Sequence, residues 1–320
     1  MPKKDNEIVI SVMLPTKNRE KSIREMLDTL KSQTFKNFEL VAVDGGSTDK
    51  TEEIVKSYSK YFPVQWHVKA GGLIPQMNVA YKNAKGKYVV RTDDDVKLSV
   101  DWLKSIVDVF ESDKNVGGVT GPTVIPDKYA KSRDLFYFEE KLKNGNLFWK
   151  LLGKIYYGYF MEGQPYRVSH WFDSGTFSLG NNFSAALKEK RQEVNNLEAC
   201  NWAVRKDLLV KAGGFDPAYL GIGEYHERDA SFKIRNLGYK LVFDPKVSVN
   251  HCPSTEGFFK DRPSAYPRML NFCLFYFRHI RKSMGTDIRF FCYLIFINLY
   301  FVFQAITRKQ LNLLGSIPGT

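Results

Sequence analysis

The sequence predicts an α/β fold: a mostly parallel sheet flanked by helices, interrupted by an irregular insertion and followed by a C-terminal helical region. Three observations predict it. Apolar, β-branched runs alternate with helix-period segments through residue 121, the order of consecutive βαβ units. Polar clusters close those runs at Thr16-Lys17-Asn18-Arg19, at Asp44-Gly45-Gly46-Ser47 and at Asp93-Asp94-Asp95, where open parallel sheets bind ligands. From 259 to 320, Arg and Lys interleave with Phe, Tyr, Leu and Ile.

The elements follow in chain order. "EIVISVMLP" reads as a buried parallel strand closed by Pro15. Residues 20–33 place Ile23, Met26, Leu27 and Leu30 on one helix face. "FELVAVDGG" is a second buried strand ending in Asp44. "STDKTEEIVKSYSKYF" predicts a helix with a serine or threonine N-cap and acids in its first turn. "VQWHVK" is a short strand, and "IPQMNVAYKNAKG" a helix with Gly86 as its C-cap. "KYVVRT" is the next strand, "SVDWLKSIVDVFES" a helix and "VGGVTGP" a strand. Regular alternation stops over 122–198, which is rich in aromatics, Lys and Gly and reads as an insertion lining the site. It returns with "NWAVRKDLLVKAGGFD" and "ERDASFKIRNLGYKLVFDPKVSVNH". The domains expected are therefore 1–258, in three parts (1–121, 122–198 and 199–258), and a C-terminal region 259–320.

The 320 residues are 43% hydrophobic and 26% charged, a globular composition. A net charge of +12 favours an anionic partner: nucleic acid, a phosphorylated small molecule or an anionic membrane. Cys200, Cys252, Cys273 and Cys292 form no C-x-x-C pair, so neither a zinc site nor a disulfide framework is expected and a reducing compartment is. The basic start precedes an apolar run too short for a signal peptide.

Three adjacent carboxylates repel one another and are costly to desolvate. Two of them, one residue apart on a tight turn, can instead offer oxygens to a hard divalent cation that bridges phosphate oxygens. Taken alone, such a cluster equally fits a solvated turn capping the next helix.

Six stretches in order resolve the choice. "VMLPTKNRE", "VAVDGGSTDKT", "AKGKYVVRTDDD", "CNWAVRKDLLVKAGGFD", "ERDASFKIRNLGYKL" and "FDPKVSVNH" resemble the glycosyltransferase family-two enzymes across residues 8–251. That family is inverting, nucleotide-sugar-dependent and built on the Rossmann-like GT-A fold. The resemblance implies that Pro15, Thr16, Asn18, Arg19, Asp44, Asn78, Asp93 and Asp94 contact the nucleotide sugar, with Asp44 accepting from a uracil-type base edge. Asp93 and Asp95 would be the D-x-D pair. Asp95 and His251 would hold Mn²⁺ or Mg²⁺, and Asn201 and Trp202 would face the acceptor. Inversion needs one base to deprotonate the acceptor hydroxyl, and the tail of the fifth stretch puts Glu227 there, with Asp229 as the second candidate. An acid at that place also suits a helix start through the dipole.

Four positions depart from the family pattern: Gly45 for an acid, Arg91 and Thr92 for apolar residues, and His226 for the first acid of E-E-x-D. They leave the donor open. The implied partners are a nucleotide-sugar donor (UDP-linked by preference), a lipid-linked or other glycan acceptor, and a membrane surface, but no nucleic acid. A sugar-phosphate nucleotidyltransferase would want a glycine-rich basic loop after the first strand, which "LPTKNREKS" lacks; a catalytically inactive binder would not need the acids and His251.

The segment 288–306 in "IRFFCYLIFINLYFVFQAI" barely reaches spanning length and is broken by Arg289, Asn298 and Gln304. With Arg281-Lys282 before it and Arg308-Lys309 after it, it reads as membrane attachment on the cytoplasmic side, either as an interfacial or re-entrant helix or as a short span; the competing reading is a core helix covering the sheet.

Overall fold

Strand β1 (Ile10–Thr16) shows why this chain folds as it does. Ile10, Val12 and Leu14 fall on one face and Met13 on the other, and both faces are sealed. The computed structural model describes residues 7–130, 134–253, 266–307 and 314.

The chain continues through α1 (Ile23–Lys31), β2 (Phe38–Asp44), α2 (Thr51–Ser57), β3 (Val64–Val68), α3 (Leu73–Asn83), β4 (Tyr88–Arg91) and β5 (Val96–Leu98). Next come α4 (Trp102–Ser112), β6 (Val116–Thr120), β7 (Thr123–Val124), α5 (Asp127–Ala130), α6 (Asp134–Asn144) and α7 (Leu147–Gly153), which runs on as a π-helix to Phe160. The remainder is β8 (Gln192–Val194), β9 (Trp202–Arg205), α8 (Lys206–Lys211), α9 (His226–Asn236), β10 (Lys240–Phe243), β11 (Val249–His251), α10 (Tyr266–Phe275) and α11 (Met284–Thr307). A π-helical turn, Tyr276–Ile280, extends α10.

Eight strands form the main sheet in the order β3-β2-β1-β4-β9-β6-β10-β8. β9 runs antiparallel to both neighbours, and β8 is an antiparallel edge strand supplied by the insertion. The other pairings are parallel, as the alternation predicts. A small second sheet, β5-β11-β7, sits beside it. It carries Val96 opposite His251 and so joins the end of the acid cluster to the last strand.

Two cores fill the faces of the main sheet. Helices α1, α2 and α4 pack on Val12, Leu40 and Val90. On the other face, α3, α8, α9, α10 and α11 pack on Met13, Val41 and Val89. The C-terminal helices are therefore part of the main sheet's packing, and the expected boundary at 258/259 lies outside the described residues, as do Arg262 and Arg308-Lys309.

Two local expectations are corrected. Helix α2 starts after Lys50, with no side-chain cap; Asp49 accepts from the Thr51 amide instead, at 3.0 Å. Helix α3 ends at Asn83, so Gly86 is no cap. Gly86 is there because β1 passes too close for a side chain: an added Cβ would lie 2.6 Å from the Ser11 amide nitrogen and 2.9 Å from the Ile10 Cα. Gly86→Ala is expected to cost roughly 1–3 kcal/mol of stability, read as a lower chemical-denaturation midpoint at unchanged slope. An unchanged midpoint would show that the β1–β4 contact can open without cost.

Candidate active site

The parallel register brings the polar ends together. Thr16 lies opposite Asp44, and β4 ends beside β1, so Asp93–Asp95 emerge next to the Thr16–Arg19 loop. Asp94 is fully buried there. It accepts from Thr16 Oγ1 at 2.9 Å and pairs with Arg19 Nε at 3.0 Å. Burial raises its pKa to about 7, Arg19 partly offsetting the desolvation. The middle acid thus locks two loops together.

Asp44 spends its oxygens on its own turn. Gly46 N and Ser47 N donate to one of them and Ser47 Oγ to the other. Asn18, at φ 52°, is tied to the same turn: its amide donates to Ser47 Oγ and its side-chain oxygen accepts from Thr48 N. These bonds fix the shape of the loop pair from which a nucleotide would be read.

Asp95 and His251 face one another across the strand ends, Oδ1 to Nε2 3.6 Å, with side chains 2% and 12% exposed. That gap suits two ligands of one hard cation, each about 2.1 Å from it. No cluster of three or more His, Cys, Asp or Glu able to hold a metal forms among the described residues. A cation here would need donor or solvent oxygens to complete its shell. A cavity of about 320 Å³ opens beside this pair, lined in part by Lys21, Asp94, Asp95, Lys97, Tyr129 and Cys252. Lys21 and Tyr129 were missed from sequence; Lys21 was legible as the next cation after the "TKNR" cluster, whereas Tyr129 lies in the irregular insertion and gave no signal.

Glu227 sits in the first turn of α9, 3% exposed. The residue before that helix's first, Tyr225, takes the left-handed region at φ 79°, an unfavourable conformation for a tyrosine. Arg91 bridges the two halves of the site. Its guanidinium pairs with Asp93 at 2.8 Å and also with Glu227. His226 Nδ1 lies 2.5 Å from the Gly223 carbonyl and 3.2 Å from Glu227 Oε2. Complete burial, with Arg91 nearby, pushes the His226 pKa well below its ordinary value, so the ring is neutral. Two departures from the family pattern, Arg91 and His226, therefore meet at one carboxylate.

Asp229 is directed elsewhere, as residues two apart on a helix must be. It is buried and held by Lys233 at 2.6 Å, His279 at 2.8 Å and the Tyr219 hydroxyl at 3.1 Å. Burial pushes its pKa up, but His279 and Lys233 more than offset this and leave it low. It anchors the C-terminal helices to α9 and does not share the Arg91–Glu227 cluster. Asp229→Asn is expected to lower stability by about 1–3 kcal/mol through the lost charge-assisted bonds. A thermal melt would show this, with turnover reduced far less than by a change at Glu227.

Three further residues are corrected. Asn201 is 1% exposed; it accepts from Trp102 Nε1 and donates to the Val247 and Pro122 carbonyls. Trp202 is fully buried, its Nε1 donating to Ser231 Oγ at 2.8 Å. Neither has surface left to meet an acceptor. Asn78 clamps α3 to the Phe215 backbone through both ends of its amide, which gives it a structural role.

The family model described as Glycosyl transferase family 2 matches residues 11–211. The chain is 32% identical over 135 residues to Glycosyltransferase GlyA of Streptococcus pneumoniae, covering 40% of this chain but only 18% of that protein. It is 23% identical over 255 residues to the glucosyl-dolichyl phosphate glucuronosyltransferase of Haloferax volcanii, covering 76% of this chain and 68% of that one. The S. aureus TarS 1–349 structure in complex with UDP-GlcNAc aligns with TM-score 0.59 at 18% identity, over 93% of this chain and 74% of that one. The mannosyltransferase PcManGT from Pyrobaculum calidifontis, in complex with GDP-Man and Mn²⁺, aligns with TM-score 0.55 at 18% identity, over 93% and 75%. These likenesses establish the GT-A fold.

Proposed function

The chain belongs to glycosyl transferase family 2, and on that premise we propose that it moves a sugar from a nucleoside diphosphate sugar to an acceptor hydroxyl with inversion, Glu227 acting as the base. The observation that carries this reading is the Arg91 bridge, which holds the candidate base and the first acid of D-x-D in one cluster.

Glu227 takes the proton of the acceptor hydroxyl as the hydroxyl oxygen bonds to the anomeric carbon. The bond from that carbon to the diphosphate oxygen breaks, and the diphosphate leaves with the electron pair. Asp95 and His251 fit a divalent cation, Mn²⁺ or Mg²⁺, which when bound supplies positive charge to the departing diphosphate. Thr16, Asn18 and Asp44 shape the loops that would receive the nucleotide. A UDP-sugar is the favoured donor, supported by the UDP-GlcNAc complex of the TarS structure. A lipid-linked glycan is the favoured acceptor, supported by the name of the dolichyl phosphate relative.

The test is release of nucleoside diphosphate from a panel of nucleotide sugars with Mn²⁺ or Mg²⁺. Turnover with one or more donors, dependent on the cation, is expected. Release of pyrophosphate from a nucleoside triphosphate and a sugar phosphate, with no nucleotide-sugar turnover, would overturn the reading.

A further inference from the structure

Helix α11 answers both readings of the C-terminal segment at once, because its two faces differ. Phe290 and Leu294 are buried in the main core, and Phe290 stacks on Tyr276 with ring centroids 3.6 Å apart. On the other face Met284, Ile288, Phe291, Ile295, Leu299 and Ile306 are exposed at helical spacing, Met284 and Ile306 by more than 70%. A second stripe continues this surface. Leu147, Leu151 and Ile155, four residues apart on α7 and its π-helical extension, are exposed by 71%, 51% and 48%. The two helices lie side by side and antiparallel: Trp149 meets Phe303, Tyr156 stacks on Phe296, and Arg289 lies over Tyr159. Exposed apolar area on this scale marks a contact surface.

We propose that this two-helix face seats the protein on a lipid bilayer, with α11 lying in the interfacial plane. The inference goes beyond the transfer reading and does not rest on it. At 24 residues α11 is long enough to cross a membrane, yet its inner face is welded to the protein. Crossing would break the ring contacts with Phe138, Trp149 and Tyr156 and strand the Arg289–Glu162 ion pair in hydrocarbon.

Charge selects lipid as the occupant. Lys150 and Lys154 are exposed within the α7 stripe and Lys143 just before it, placed to reach headgroups while their neighbours enter the acyl boundary. Of the acids nearby, Glu162, Asp173 and Asp287 are each paired with a cation, to Arg289, Lys282 and Arg281 in turn; Glu139 accepts from the Tyr157 and Tyr166 hydroxyls, and Glu140 is exposed. A second copy related by a twofold axis would set a patch of this same sign against itself. The face also lies close to the chemistry. The Tyr276–Ile280 turn that Phe290 stacks on carries His279, which binds Asp229 two residues from Glu227. A docked protein would hold its candidate base one helix layer from the membrane.

The test is co-sedimentation of the full chain with vesicles of phosphatidylcholine, alone or mixed with phosphatidylglycerol. Binding to both is expected, stronger on the anionic vesicles, with salt removing only the excess. Leu147→Glu with Leu151→Glu and Ile155→Glu should weaken binding about a hundredfold on both. Lys150→Glu with Lys154→Glu should weaken it roughly thirtyfold or more on anionic vesicles alone. These exposed changes should leave the thermal midpoint unaltered, which separates lost docking from lost folding. No binding to either vesicle, or a dimer that the α7 changes dissociate, would overturn the proposal. So would full binding by the α7 variant, or resistance of the bound protein to alkaline carbonate, the mark of a span. Because sedimentation reads no turnover, failure of the donor screen would leave this outcome intact.

Discussion

Glu227→Gln is expected to lower turnover by ~10²–10⁴-fold, about 3–5 kcal/mol of barrier, while nucleoside diphosphate binds as before. Glutamine fills the same buried space, and its side-chain oxygen can still accept from Arg91, so the cluster at the start of α9 should hold its shape. What it cannot do is take a proton. The Arg91 guanidinium lies against the Glu227 carboxylate, and the buried His226 ring beside it is neutral. Single-turnover rates with saturating donor, beside calorimetric titration of the nucleotide, separate the two effects. The decisive comparison is Asp229→Asn. If that variant is dead at unchanged melting temperature while Glu227→Gln turns over normally, the base is Asp229 and the role given to the Arg91 bridge is wrong.

Asp95→Asn is the second large effect: turnover should fall by about 10³-fold or more, several kcal/mol of lost charge stabilisation, and nucleoside diphosphate should bind more weakly in parallel. An amide oxygen is a poorer ligand for a hard cation than a carboxylate, and His251 alone, 3.6 Å away, cannot replace it. The paired affinity loss distinguishes this variant from Glu227→Gln, which should leave nucleotide affinity unchanged. Excess chelator on the wild-type protein should reproduce it, and added Mn²⁺ or Mg²⁺ should restore activity. Full turnover in chelator would remove Asp95 and His251 from any metal role. Asp94→Asn should act by another route: it removes the buried partner of Arg19, loosening the Thr16–Arg19 loop, and so should appear in the thermal midpoint.

What the sequence by itself determined here is local or strictly ordered. Strand periodicity located β1, β2, β4 and β6, because a strand buried on both faces must be continuously apolar. Motif order put the D-x-D acids at the end of β4 and Glu227 at the start of α9. Only the tertiary structure showed that Glu227 joins the Arg91 cluster while Asp229 faces Lys233 and His279. It also decided that Arg91 and His226, each odd in its own motif, converge on one carboxylate, that Asn201 and Trp202 are core, and that α11 buries one face and exposes the other. The physical reason is common to all four. Burial and charge pairing depend on which surfaces meet after folding, and residues far apart in the chain carry no periodicity that records their meeting.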